Sequence, residues 1–203
     1  MTNDVVLAAV GSIKGDSLRA KRDRVLLLLG FAMAARCSEL TGLDVEDLQF
    51  SERGLYVTIK RGKTDQEGMG TKIAVVPGAT ACPIVAVKEW MSAGGITSGP
   101  LFRRIRNRKA QRVMPDRLHH QAVSLVVKQH IRDLGLEVGD FSAHSLRAGF
   151  LTSAANRGAS IFKMRAVSRH KSIDVLSSYV RDADKSVQPM AERLAPGEGR
   201  WMR

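Results

Sequence analysis

Apolar residues gather most densely between Val25 and Ala35, an eleven-residue run closed by Arg24 on one side and Arg36 on the other. A run of that length is too short to cross a bilayer and reads as a helix entering a protein core. Asp16 or Ser17 can cap its start, so the pattern predicts a helix through LRAKRDRVLLLLGFAMAA. Its first half is basic and expected to be exposed. A second helix is expected over residues 38–43, with a turn or cap at Asp44. The character then changes. GLYVTIK alternates apolar and polar, RGKTDQEGMGT holds turn residues, and KIAVVPG is β-branched again. Over residues 54–78 this predicts two antiparallel strands joined by a long hairpin loop.

Pro83 opens a helical pattern in IVAVKEWMSAG, at the first-turn position that proline tolerates. After a short strand at PLF, residues 103–112 read as a basic loop with six Lys or Arg and no acid. Helices are expected at 117–135, 143–157, 160–168 and 173–182, with Gly158 suited to end one of them. Residues 1–16 read as a loosely ordered leader, and Val187–Leu194 as a weakly amphipathic segment in a tail over 186–203. The fold class that follows is mainly α with a small antiparallel β-sheet (α+β), carried by one domain over residues 17–185.

Charge changes this picture most. The chain carries 32 basic against 20 acidic residues in 203, a formal net charge of +12. A surface of that sign on so small a domain attracts polyanions, and nucleic acid is the commonest of them. No basic amphipathic anchor or lipidation signal points to a membrane. The N-terminus lacks a basic region before its short apolar run, so it does not read as a secretory signal, and a cytoplasmic, nucleoid-associated protein is expected. Cys37 and Cys82 stand far apart in no metal-like spacing, which suggests neither a disulfide framework nor a zinc site. His119, His120 and His130 lack a completing carboxylate or cysteine in the sequence. They read as surface or DNA-facing residues, and no metal or other cofactor is expected.

Candidate chemistry concentrates near the C-terminus, in FSAHSLRAGFLTSAANRGASIFKMRAVSRHKSIDVLSSYVRDAD. Attack on a phosphodiester needs a nucleophile, cations on the non-bridging oxygens and an acid for the leaving oxygen. His144 and Arg147 are three apart on an expected helix, so both can point to one face. Arg36 and Glu39 share that spacing on another. Two guanidiniums from separate elements can grip both non-bridging oxygens, which the planar fork of Arg does better than Lys. Nine residues at 100° each would put His170 and Tyr179 on opposite sides of one straight helix. A chain break at Ser172, a good cap, removes that conflict.

The boxes AARCSEL, RGKT, HSLR and RHKSIDVLSSYVRD occur in an order and spacing that resemble the catalytic domain of the tyrosine recombinases, the phage-integrase family. The resemblance covers roughly residues 17–185. It implies that Arg36 and Arg147 clamp the phosphate and that Tyr179 is the nucleophile. It also implies that Lys63 protonates the departing 5′-hydroxyl, in competition with nearby Lys60 and Lys72. His144 would act as general acid/base on the tyrosine, His170 would hydrogen-bond the scissile phosphate, and Glu39 would support the site. Tyr56, on a strand pattern, is the poorer nucleophile candidate. A 3′-phosphotyrosyl intermediate without metal or ATP is implied, with double-stranded DNA as partner. So are a tetramer on paired sites and accessory directionality factors.

Backbone phosphates are expected to meet Arg19, Lys21, Arg22 and Arg24 on the first helix and Arg103, Arg104, Arg106, Arg108, Lys109 and Arg112 in the basic loop. Members of the family usually add an N-terminal helical domain that closes over DNA, and this chain is expected to lack it. Two other functions compete: type IB topoisomerase-like DNA relaxation, and a catalytically silent DNA-binding accessory protein of the same fold.

Overall fold

The computed structural model describes residues 1–60, 70–107 and 109–183. The chain divides into two compact units, Met1–Phe150 and Leu151–Arg203. Lys63, Arg108 and the segment Val187–Leu194 lie outside the described residues.

The first unit opens with a helix, α1 (Asn3–Ser12), where a loose leader was expected. Val6, Ala9 and Ile13 are buried along it at near-helical spacing, and that face is what orders it. Of the two caps the sequence allowed, Ser17 caps α2 (Leu18–Ala32), its hydroxyl accepting from the Ala20 N–H. Val25 through Leu29 are buried, so the apolar run is the centre of the core. The helix α3 (Cys37–Gly42) and a short 3-10 turn (Val45–Asp47) follow, with Asp44 between them.

Three antiparallel strands come next: β1 (Leu48–Ser51), β2 (Gly54–Ile59) and β3 (Thr71–Val75), in the order β1-β2-β3. The expected β2–β3 pair is present, with Val57 opposite Ile73 and Leu55 opposite Val75, and β1 adds an unanticipated third strand. One face carries Leu55, Val57, Ile59, Ile73 and Val75 into the core, as a period of two requires. Pro83 starts α4 (Pro83–Gly94), which packs against α2 and buries Val87 and Trp90.

The basic loop is in fact a second sheet: β4 (Arg103–Arg106) and β5 (Arg112–Arg117) form an antiparallel hairpin. The short strand expected at PLF is displaced to Arg103, leaving Leu101 and Phe102 buried ahead of it. Helix α5 is correspondingly shorter than expected, Gln121–Asp133. The helix α6 (His144–Asn156) follows and runs into the second unit. There Gly158 (φ +72°) turns the chain into α7 (Ile161–Ser168), capped by the Ser160 hydroxyl. A further helix, α8, covers 174–183. Met164 and Leu176 are buried in this unit. Among the described residues no helix is long and apolar enough to cross a membrane.

Candidate active site

Arg147 reaches the turn between α2 and α3 that leads into Arg36. Ala34 adopts a left-handed conformation (φ +45°), and its N–H and that of Ala35 return to the carbonyls of Phe31 and Gly30. This closes α2. Arg147, from α6, is 2% exposed and donates through Nη1 to the Ala34 carbonyl at 2.7 Å, two residues before Arg36. Gly30 permits the approach. A Cβ there would lie 3.0 Å from a Leu40 methyl carbon and 3.1 Å from one of Leu146, so α2, α3 and α6 converge on it.

Arg36 stands at the N-cap of α3. Its backbone N–H donates to Glu39 Oε2 at 2.8 Å and its Nη1 to Glu39 Oε1 at 2.6 Å, so one carboxylate holds both ends of the residue. The Arg36 side chain is 48% exposed, leaving a guanidinium that is oriented yet open to a ligand. His144, the first residue of α6, is exposed one turn ahead of Arg147, and its N–H is capped by Ser142 Oγ at 3.2 Å. Cys37 sits beside this cluster, and burial pushes its thiol pKa up, so it is a poor thiolate nucleophile.

In the second unit the expected break is present. α7 ends at Ser168, Arg169 turns left-handed (φ +58°), and Ser172 Oγ accepts from the Asp174 N–H at the start of α8. His170 lies in this turn with Nδ1 2.8 Å from Ser168 Oγ, and its carbonyl accepts from Arg165 Nε at 3.3 Å. Tyr179 is half-buried within α8.

The two rivals of Lys63 are both engaged. Lys60 Nζ donates to Asp44 Oδ2 at 2.9 Å and lies 3.1 Å from Asp47 Oδ1. These hydrogen bonds, Asp44's first, raise the Lys60 pKa and make it a weaker proton donor. Lys72 donates to Gln49 Oε1 at 2.7 Å and sits over the Tyr56 ring, 5.5 Å from its centroid. Arg117 completes the cluster around Asp44, donating to that carboxylate and to the carbonyls of Thr41 and Leu43 at the end of α3. The sequence pattern gave no sign of this anchor beyond Asp44 as a turn or cap.

The basic patches divide sharply. On α2 the exposed basic face does not exist: Arg22 is 6% exposed and paired with Asp23, while Lys21 and Arg24 pair with Asp16. Arg24 also caps the carbonyls of Ile13 and Gly15. Arg19 ties the start of α2 to the hairpin, its backbone N–H donating to Gln111 Oε1 and its Nη2 to the Ile105 carbonyl. Arg103 bends back to the carbonyls of Ser98 and Pro100. Arg104, Arg106, Lys109 and Arg112 remain exposed on the β4–β5 hairpin. His119 and His120 are exposed, but His130 is buried, with Nε2 3.3 Å from Asp23 Oδ2 and Nδ1 3.5 Å from Asp133 Oδ2. It braces helices and does not face a ligand. Among the described residues no group of three or more His, Cys, Asp or Glu is placed to hold a metal ion.

The sequence matches the phage integrase family over residues 1–186. It is 36% identical over 171 residues to an integrase/recombinase xerD homolog of Selenomonas ruminantium, a match covering 83% of this chain and 50% of that protein. Its fold is similar to that of XerH site-specific recombinase bound to palindromic difH substrate in a post-cleavage complex. The TM-score is 0.72 at 20% identity, over 95% of this chain and 52% of that one. It is also similar to the Tn1549 transposon integrase in complex with circular intermediate DNA, with a TM-score of 0.62 at 16% identity over 96% and 66% of the two chains. The chain thus spans about half the length of the xerD homolog it matches, and its fold is that of the tyrosine recombinase catalytic domain.

Proposed function

The chain belongs to the phage integrase family, and we propose that it is a site-specific DNA recombinase acting through a 3′-phosphotyrosyl intermediate. The observation that carries the reading is the Arg147–Ala34 hydrogen bond. It fixes a buried guanidinium two residues from Arg36, so that two cations from separate helices serve one phosphate. Tyr179 Oη attacks the scissile phosphorus, the bond to the 5′-oxygen breaks, and that oxygen takes a proton from Lys63. His144 receives the tyrosine proton, and His170 donates to a non-bridging oxygen. Attack by a 5′-hydroxyl from a partner strand reverses the sequence and releases Tyr179.

Two further observations support these roles. Lys60 and Lys72 are tied to carboxylates and to Gln49, which leaves Lys63 as the hairpin lysine for the leaving group. Tyr56 lies beneath Lys72 on β2, outside the C-terminal boxes that carry Arg147 and His170, which favours Tyr179 as nucleophile. Double-stranded DNA meets Arg104, Arg106, Lys109 and Arg112 on the hairpin, while Arg19 serves to brace it. Tetramer assembly on paired sites, accessory directionality factors and association with the nucleoid belong to the same proposal.

Nicked suicide duplexes tiled across the DNA flanking its own gene test the reading. The protein is expected to become covalently attached to one of them. Tyr179→Phe is expected to abolish attachment while leaving affinity within about twofold of the parent. Undiminished attachment in that variant would remove Tyr179 from the chemistry.

A further inference from the structure

His170 is useful to a phosphate oxygen only if the ring nitrogen that meets it carries a hydrogen. A neutral imidazole carries one hydrogen on either of two nitrogens, and the partner of one nitrogen decides the state of the other. Ser168 is the partner of Nδ1. It is the last residue of α7, its side chain is wholly buried, and its Oγ lies 2.8 Å from His170 Nδ1.

Residues two apart on a helix point away from each other. Here they meet because Arg169 takes φ +58° and ψ 36°, which folds the chain back on the helix end. Arg165 Nε then holds the His170 carbonyl, so the backbone beyond the turn is fixed as well. The pair is therefore a built feature of the α7 terminus.

A hydroxyl can donate or accept. If Nδ1 carried the hydrogen and donated it, the serine hydrogen would be left in the interior, since Oγ has no other partner among the described residues. Burying an unpaired donor is costly, and the cost disappears when the hydroxyl donates to Nδ1 instead. We propose that Ser168 is a positioning residue for the recombination reaction. Its hydroxyl donates to His170 Nδ1 and holds the neutral ring as the tautomer with hydrogen on Nε2. This rests on the reading of His170 as a donor to the scissile phosphate. It adds that the donor is set by a buried hydroxyl and does not require a charged imidazole.

The test uses the whole chain with its histidine rings labelled with nitrogen-15. Long-range proton–nitrogen NMR near neutral pH distinguishes the tautomers. The parent is expected to show His170 with hydrogen on Nε2 and an unprotonated Nδ1. Ser168→Ala is expected to give a mixture of tautomers, and Ser168→Thr to keep the parental one. In single-turnover cleavage, Ser168→Ala is expected to slow the chemical step by about tenfold at unchanged DNA affinity, the range typical of a lost orienting hydrogen bond. Ser168→Thr is expected to restore it. A merely structural serine would lower thermal stability without moving the ring signals. Hydrogen on Nδ1 in the parent, or unaltered ring signals in Ser168→Ala, would overturn the proposal. If the parent formed no covalent complex with DNA, the recombinase reading would fall, and the ring nitrogens would still decide the role of Ser168.

Discussion

Glu39 makes two bonds to one residue, and this double hold gives its carboxylate more weight than an exposed ion pair. One oxygen accepts the Arg36 backbone N–H that opens α3, and the other fixes the guanidinium. The capping bond contributes stability of about 1 kcal/mol, whereas a half-exposed ion pair adds at most a similar amount. The chemical effect is expected to exceed the stability effect, because a loosened Arg36 must be ordered anew in each transition state. Glu39→Ala is therefore expected to lower the unfolding free energy by about 1 kcal/mol and to slow single-turnover cleavage by at least tenfold. Urea titration beside a rate measurement separates the two effects, and a rate loss no larger than the stability loss would reduce Glu39 to a cap. At this scale the Arg36–Glu39 pairing was legible, because a spacing of three brings the two residues together at a helix start. Ser168 was not. Its meeting with His170 depends on a left-handed arginine, a conformation that side-chain-bearing residues adopt rarely and that no sequence pattern announces.

Between elements, Asp44 joins three pieces that a linear pattern treats separately. It accepts from Lys60 at the end of β2 and from Arg117 on β5, while Arg117 also caps the last carbonyls of α3. Hydrogen bonds from Lys60, then Arg117, hold the Asp44 pKa below the usual carboxylate range. A depressed folded pKa means that the stabilisation is fully present above the unfolded value, near about 4, and is lost as pH falls through the folded value. Lys60 behaves oppositely. Its raised pKa leaves its contribution intact at neutral pH and loses it only in strong alkali. Asp44→Asn is thus expected to be less stable than the parent by about 1–2 kcal/mol at neutral pH. The gap should narrow progressively below about pH 4. Urea midpoints from neutral to acid pH check this, and a constant gap would assign the effect to packing.

The same scale shows what the pattern missed among the elements. α1 was hidden because Gly11 and Gly15 signalled a loose segment, although Val6, Ala9 and Ile13 form a buried stripe. The β4–β5 hairpin was hidden because arginines fill its exposed positions, leaving little more than Ile105 and Val113 of the alternation, while Asn107 and Gln111 supply the positive-φ turn. The later helices and the β2–β3 pair were legible because their apolar periods were clearer.

For the molecule as a whole, a net charge of +12 predicts salt-sensitive DNA affinity, but the sum does not say where it acts. Arg22 is buried, and the cationic heads of Arg19, Lys21 and Arg24 are spent on Asp16 and backbone carbonyls, so α2 has few cations to offer. The hairpin keeps Arg104, Arg106, Lys109 and Arg112 exposed, with Arg104 only weakly drawn to Asp116 at 3.9 Å. Each phosphate neutralised on duplex DNA contributes about 0.9 to the slope of log affinity against log salt. Changing these four residues together to Gln should therefore flatten that slope by roughly 3–4. A single change such as Arg106→Gln should flatten it by about 0.9. Melting temperature is expected to stay near the parental value, because none of the four is buried. Fluorescence anisotropy with a random duplex over a range of salt concentrations measures the slope. An unaltered slope in the fourfold variant would move the phosphate-binding surface away from the hairpin. A slope that falls in proportion to the number of residues changed would establish the hairpin as the surface where the charge acts, ahead of any base recognition.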